Sequence, residues 1–103
     1  MKEIIIKIEE NKLLLTVSNE IYEKRAILNA SYKFTNKCFI NIEQTDKKFE
    51  ILFQQKEKGT NLETIAFEFG NELIDQQIRI NVGREFKTIR EELVKKAFNS
   101  ISR

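Results

Sequence analysis

The chain of 103 residues contains no proline, no histidine and no tryptophan, one cysteine and three glycines. Each absence removes a class of explanation. Without histidine, the side chain best suited to proton exchange near neutral pH is missing, and with it His-based metal sites and the Ser–His and Cys–His pairs of nucleophilic catalysis. Cys38 stands alone, so it can form no intramolecular disulfide and no Cys-based metal site, which points to a reducing, cytoplasmic setting. The glycines, at 59, 70 and 83, are too scattered for a phosphate-cradling loop. The apolar run Ile4-Ile5-Ile6 in MKEIIIKIEE falls far short of the roughly 7–15 residues of a signal peptide or the ~20 of a membrane span. Export and membrane insertion are therefore not expected. Nor is a catalytic, cofactor-binding or metal-ligating residue.

What is present is an ordinary globular composition, 41% hydrophobic and 33% charged with eight Phe, of a length that suits one domain over residues 1–103. The net charge of +2 is too small for a general polyanion binder. Basic side chains gather late, at Arg84, Lys87, Arg90, Lys95, Lys96 and Arg103, but Glu85, Glu91 and Glu92 are interleaved with them. No aromatic-basic alternation accompanies them, so a charged helix face is expected rather than a nucleic-acid interface.

Residues 2–17 read as a hairpin, with Ile4, Ile6 and Ile8 on one face of the first strand and Leu13, Leu15 and Val17 on one face of the second, joined at Glu10-Asn11. Ser18 can cap a helix that runs to about Phe34. A second hairpin turns at Thr45-Asp46-Lys47 and places Cys38, Ile40 and Ile42 on one face and Phe49, Ile51 and Phe53 on one face. Thr60 and Glu63 have the spacing of a capping box for a helix to about Val82, which Gly83 would end in a left-handed conformation. Thr88 and Glu91 offer the same box for a last helix to about Ile101. The expected architecture is α+β and two-layer: a four-stranded antiparallel sheet packed on helices, in the order ββαββαα with strands arranged 2-1-3-4.

Three surfaces are candidates for binding. The sheet face away from the helices carries Ile5, Leu14, Phe39 and Leu52, one from each strand, and this band is expected to lie under the last helix or against a second copy of the chain, in preference to a different partner protein, which remains the alternative. The first helix is apolar on two sides, with Ile21, Leu28 and Tyr32 on the second, and cover by the C-terminal helices is the preferred reading over a foreign protein. The helix around EFGNELIDQQIR is apolar over roughly 200°, leaving a narrow strip of Glu68, Asn71, Glu72, Asp75 and Arg79. Asp75 and Arg79 can pair at i, i+4, while Glu68 and Glu72 repel at that spacing. Gln77 lies inside the apolar arc and needs a hydrogen-bond partner there. The plain reading is a solvated face with a satisfied core amide; the sharper one is a docking strip. Cys38 alternates with inward residues and reads as a buried, inert thiol.

Two stretches, RAILNASYKFTNKCFINIE at Arg25 to Glu43 and FGNELIDQQIR at Phe69 to Arg79, with Thr88-Ile89-Arg90 and Ala97-Phe98 following, resemble the His-Xaa-Ser system protein HxsD family. The marks are the late Ile74-Asp75-Gln76-Gln77-Ile78-Arg79 and the earlier Tyr32-Lys33-Phe34-Thr35. The resemblance implies a small accessory protein encoded beside radical S-adenosylmethionine enzymes and a protein with His-Xaa-Ser repeats, with the iron–sulfur chemistry supplied by those enzymes. The expected role is then a non-catalytic scaffold that binds the radical enzymes, and as a further candidate the repeat protein, through the polar strip and an adjoining apolar patch. Two rivals remain open. One is a free-standing peptide-recognition module that adds a substrate strand to a sheet edge, against which Lys47, Lys48 and Lys56 argue. The other is an enzyme using Asp75 and Glu72, which requires a pocket and a raised carboxylate pKa.

Overall fold

The four alternating segments pair into one antiparallel sheet in the computed structural model, which describes residues 4–9 and 11–101 and, of residues 4, 5, 7 and 97–101, the backbone only. The strands are β1 (Ile4–Glu9), β2 (Lys12–Ser18), β3 (Cys38–Gln44) and β4 (Lys48–Gln55). A short helix, α1 (Lys24–Tyr32), joins the two hairpins, and a 40-residue helix, α2 (Leu62–Ile101), follows the second. The α+β architecture and its element order up to the last helix are those read from the sequence.

The strand order is β1-β2-β4-β3 rather than 2-1-3-4. The two central strands each set three residues into the core: Leu13, Leu15 and Val17 stand opposite Phe53, Ile51 and Phe49, and all six are buried. Of the described residues in β3, only Cys38 is fully buried, as befits an edge strand. In β1, Ile6 pairs with Leu14 and Ile5 with Leu15, and Ile6 and Ile8 are about half exposed. Ile6 and Ile8 therefore do not belong to the packed face expected of them.

Both helices lie on the face built by Leu15, Ile51 and Phe53. Ala26, Ile27 and Ala30 of α1 and Leu62, Ile65, Ala66, Phe69 and Leu73 of α2 close over it, and Ile80 is the last buried residue among the described side chains of α2. Phe69 lies at the centre, edge-on to Phe34 at 5.8 Å and to Phe53 at 5.2 Å between centroids. Such geometry sets the positive ring edge against the negative ring face.

Several local signals differ from those expected of the sequence. Ser18 does not cap α1: its hydroxyl accepts from the Glu20 N–H and its carbonyl from Tyr22, forming a turn, and Glu23 holds the N-cap position. The cap of α2 is Asn61, whose Oδ1 accepts from the Thr64 N–H, while Thr60 donates its hydroxyl to the Glu57 carbonyl. The left-handed glycine is Gly59, with φ of 86°, in the turn before α2. Gly83 instead stays helical, and Thr88 donates to the Arg84 carbonyl within one unbroken helix. A mid-helix glycine costs only about 1 kcal/mol relative to alanine, too little to end a helix with good formers on both sides. At 1.5 Å per residue α2 is about 60 Å long, which accounts for the 69 Å long axis of the molecule.

Truncating Phe69 to Ala should cost about 3–5 kcal/mol, because its cavity is walled by two other rings. Phe86→Ala, on the exposed part of α2, should change the stability of the dilute protein by less than about 0.5 kcal/mol. Urea denaturation of both variants in dilute solution checks the contrast.

Candidate interaction surface

The polar strip on α2 is largely a seam with α1 and the segment behind it. Glu72, half-buried, receives Lys33 Nζ at 2.9 Å and Gln76 Nε2 at 2.7 Å. Asn29 donates to Gln76 Oε1 at 3.4 Å, and Glu68 lies 3.9 Å from Lys37. The cations that the clustered acids require thus come from this chain's own Lys33 and Lys37. Asp75 and Arg79 pair at 2.7 Å, as their spacing predicts, and both remain largely accessible. Asn71 is exposed beside them.

Gln77 is buried and satisfied on both sides. Its Oε1 accepts from the Glu23 N–H at 2.8 Å, and its Nε2 donates to Asn81 Oδ1 at 3.1 Å. Glu23 in turn holds Arg84 through a two-oxygen fork, with Nη1 at 2.5 Å and Nη2 at 2.7 Å. Planar guanidinium matches carboxylate in this way, which fixes direction as well as distance. The start of α1 is thereby clipped to α2 where α2 leaves the body.

The second surface is the outer face of the sheet. Leu14 and Leu52 stand opposite one another, half-buried, with Ile6 beyond Leu14 on β1. Phe39 is 56% exposed one register step away on β3, opposite Gln54, with Lys56 Nζ 5.2 Å from its ring centroid. Among the described residues no helix packs on this face, so the expected cover by the last helix is not there. The apolar row also passes through Ile6 rather than Ile5, which pairs with Leu15. The second side of α1 is likewise uncovered: Ile21 and Leu28 are about half exposed and Tyr32 is 80% exposed.

The third surface did not emerge from the sequence. Beyond Ile80 every side chain described, through Lys96, is exposed, including Val82, Phe86 at 65%, Ile89 and Leu93 at 62%. At about 100° per residue, these four lie within roughly 60° of one another and about 150° from the stripe that packs on the sheet. The apolar side of α2 changes face as the helix leaves the body. Their 4-3-4 spacing is the signal in the sequence, masked by the resemblance of Gly83 and Thr88 to helix boundaries.

For chemistry the arrangement offers little. The hydrogen bonds from Gln76 and Lys33 hold the Glu72 carboxyl below its ordinary value, the opposite of what a general acid near neutral pH requires. Burial raises the Cys38 thiol, which donates to the Phe34 carbonyl and is no ready nucleophile. Among the described residues no three His, Cys, Asp or Glu side chains are placed to hold a metal ion, and no helix is long and apolar enough to cross a membrane.

Fold and surface define a small α+β protein with an open sheet face and a projecting helical arm. The chain belongs to the His-Xaa-Ser system protein HxsD family, whose model matches residues 17–103, from the end of β2 through α2. That membership suggests an accessory protein of the His-Xaa-Ser system. No curated protein and no solved structure gives a significant match.

Replacing Gln77 with Leu leaves the Glu23 N–H without its acceptor and should cost about 1–3 kcal/mol, read from urea denaturation. The carboxyls of Glu23, hydrogen-bonded to Arg84, and of Glu72, hydrogen-bonded to Gln76 and Lys33, both lie below the ordinary 4.5. An acid depressed in the folded state stabilises in full above its unfolded pKa and loses that contribution as pH falls through the folded one. The thermal midpoint should therefore decline below pH 4.5, less steeply in the Glu23→Gln/Glu72→Gln variant; parallel curves would contradict the assignment.

Proposed function

We propose that this chain is a non-catalytic accessory subunit of a radical S-adenosylmethionine-dependent peptide or protein modification system, and that it acts in the cytoplasm by binding the radical enzymes. The observation that carries this reading is the open face of the sheet. Ile6, Leu14, Leu52 and Phe39 form an apolar centre, and Lys12, Lys48, Glu50 and Glu43 stand around it on the same face, the arrangement of an interface core and its rim. A monomer gains nothing by leaving such a row in water. Asp75, Arg79, Glu68 and Asn71 then supply orientation through charge and hydrogen bonding, while Glu72 is spent on Lys33. Tyr32, at the end of α1, extends the contact area.

A second reading is favoured by one feature: β3 is an edge strand seven residues long, and its outer edge meets no other strand of the sheet. A substrate peptide could add there as a fifth strand. Lys56 reaches across the start of β3, donating to the Thr35 carbonyl at 2.6 Å, and restricts that approach.

Pairwise co-expression with each neighbouring radical enzyme and with the repeat protein, followed by size-exclusion chromatography with light scattering, tests the proposal. Co-elution with an enzyme is expected, lost in a folded Ile6→Glu/Phe39→Glu variant and weakened by Asp75→Lys/Arg79→Glu. Elution alone, or with the repeat protein only, would contradict enzyme docking; the latter would favour strand addition.

A further inference from the structure

The arm of α2 beyond Ile80 is a surface of its own. Val82, Phe86, Ile89 and Leu93 recur at alternating steps of four and three, the a/d spacing of a two-stranded helical seam. The stripe is narrow, as a seam requires, and points away from the side that packs on the sheet. A fold-back of the arm onto its own body would leave this stripe in water. Packing against another helix would cover it and set the two bodies on opposite outer sides.

We propose that the occupant is a second copy of this chain, its arm lying parallel and in register. The charges on the arm select that partner and that direction. Glu91 has Lys87 and Lys95 at i±4 on its own helix, and Glu92 has Lys96, so these acids can be satisfied internally. Glu85 and Arg90 are different: neither has an opposite charge three or four residues away. They flank the seam on its two sides and are five residues apart, the offset at which flanking residues of parallel strands meet. Two copies in parallel therefore gain Glu85 against Arg90 twice. An antiparallel pair sets Glu85 against Glu92 and loses both.

Direction is also prepared at the base of the arm. The fork between Glu23 and Arg84, with Gln77 bonded to Asn81, ties α2 to the start of α1 where the arm emerges. The arm leaves the body along one line, so less orientational freedom is lost on pairing. Lys96 occupies the next seam position after Leu93 and ends the apolar run. The seam is about two heptads long, and the association is correspondingly weak and dependent on concentration.

Light scattering of the chain alone over a wide concentration range tests this. The mass should rise from one chain to two, and Leu93→Asp should abolish the rise while circular dichroism and thermal unfolding show the body intact. Glu85→Arg alone should weaken the dimer, and Glu85→Arg/Arg90→Glu should restore it. Mild oxidation of Ile89→Cys should link two copies, since the native thiol of Cys38 is buried. A single-chain mass at every concentration would overturn the proposal, as would cross-linking of Phe86→Cys to Ile89→Cys in preference to Ile89→Cys with itself. Loss of enzyme co-elution in Leu93→Asp, with the chain alone always monomeric, would also overturn it and assign the arm to the enzyme. Docking through the sheet face is probed separately by Ile6→Glu/Phe39→Glu, so either reading can fail without the other.

Discussion

One helix has to serve two neighbourhoods, and the point where its apolar side changes face governs the rest of the molecule. Up to Ile80, α2 buries Leu62, Ile65, Phe69 and Leu73 against the sheet and α1, and this burial is what a four-stranded sheet with one apolar face requires for stability. After Ile80 every described side chain through Lys96 is exposed, and Arg84 is tied to the body through Glu23. An isolated helical segment of this length is marginal in water, so the arm depends on propagation from the packed half and on whatever covers its stripe. The clip formed by Glu23, Gln77 and Arg84 sits at the junction between these two regimes.

The two stretches that carry the resemblance to the family both lie along the packing of α2 on α1 and the segment after it. Phe34 sets its ring at an edge-on angle to Phe69, Lys33 reaches Glu72, and Gln77 accepts from the N–H of Glu23, the N-cap of α1. Lys33 and Phe34 thus meet α2 just before Ile74, at Glu72 and Phe69, while Gln76 and Gln77 meet Asn29 of α1 and its N-cap Glu23, so both stretches take part in the packing of α2 on α1 and the segment that follows it. The exposed members, Tyr32, Asp75 and Arg79, lie on the rim of that contact and remain available to a partner. A density of polar residues on an apolar helix, puzzling in the sequence, reflects a helix packed on two sides with its remaining strip bonded to the neighbouring element.

Period-two alternation made the strands legible, and the burial of Leu13, Leu15, Val17, Phe49, Ile51 and Phe53 follows it closely. The satisfied amide of Gln77, the pairing of Asp75 with Arg79 and the buried Cys38 were equally readable, because each rests on a local rule. Strand order was not, since each of the four strands carries four apolar residues and only long-range pairing decides which two lie at the centre. The continuity of α2 was missed because Gly83 and Thr88 resemble boundary residues, yet their cost is small beside the propagation of a long helix. The cations for Glu68 and Glu72 come from 31 and 39 residues away in sequence, beyond any pattern of spacing.

Hydrogen exchange of backbone amides, followed residue by residue as the protein is diluted, tests the central claim that the arm is covered only from outside the chain. The account predicts slow, concentration-independent exchange around Leu15, Ile51 and Phe69, and exchange in residues 84–96 that is fast in dilute solution and slows as concentration rises. Equal protection of the arm at every dilution would contradict it, since only contacts within the chain itself persist at infinite dilution.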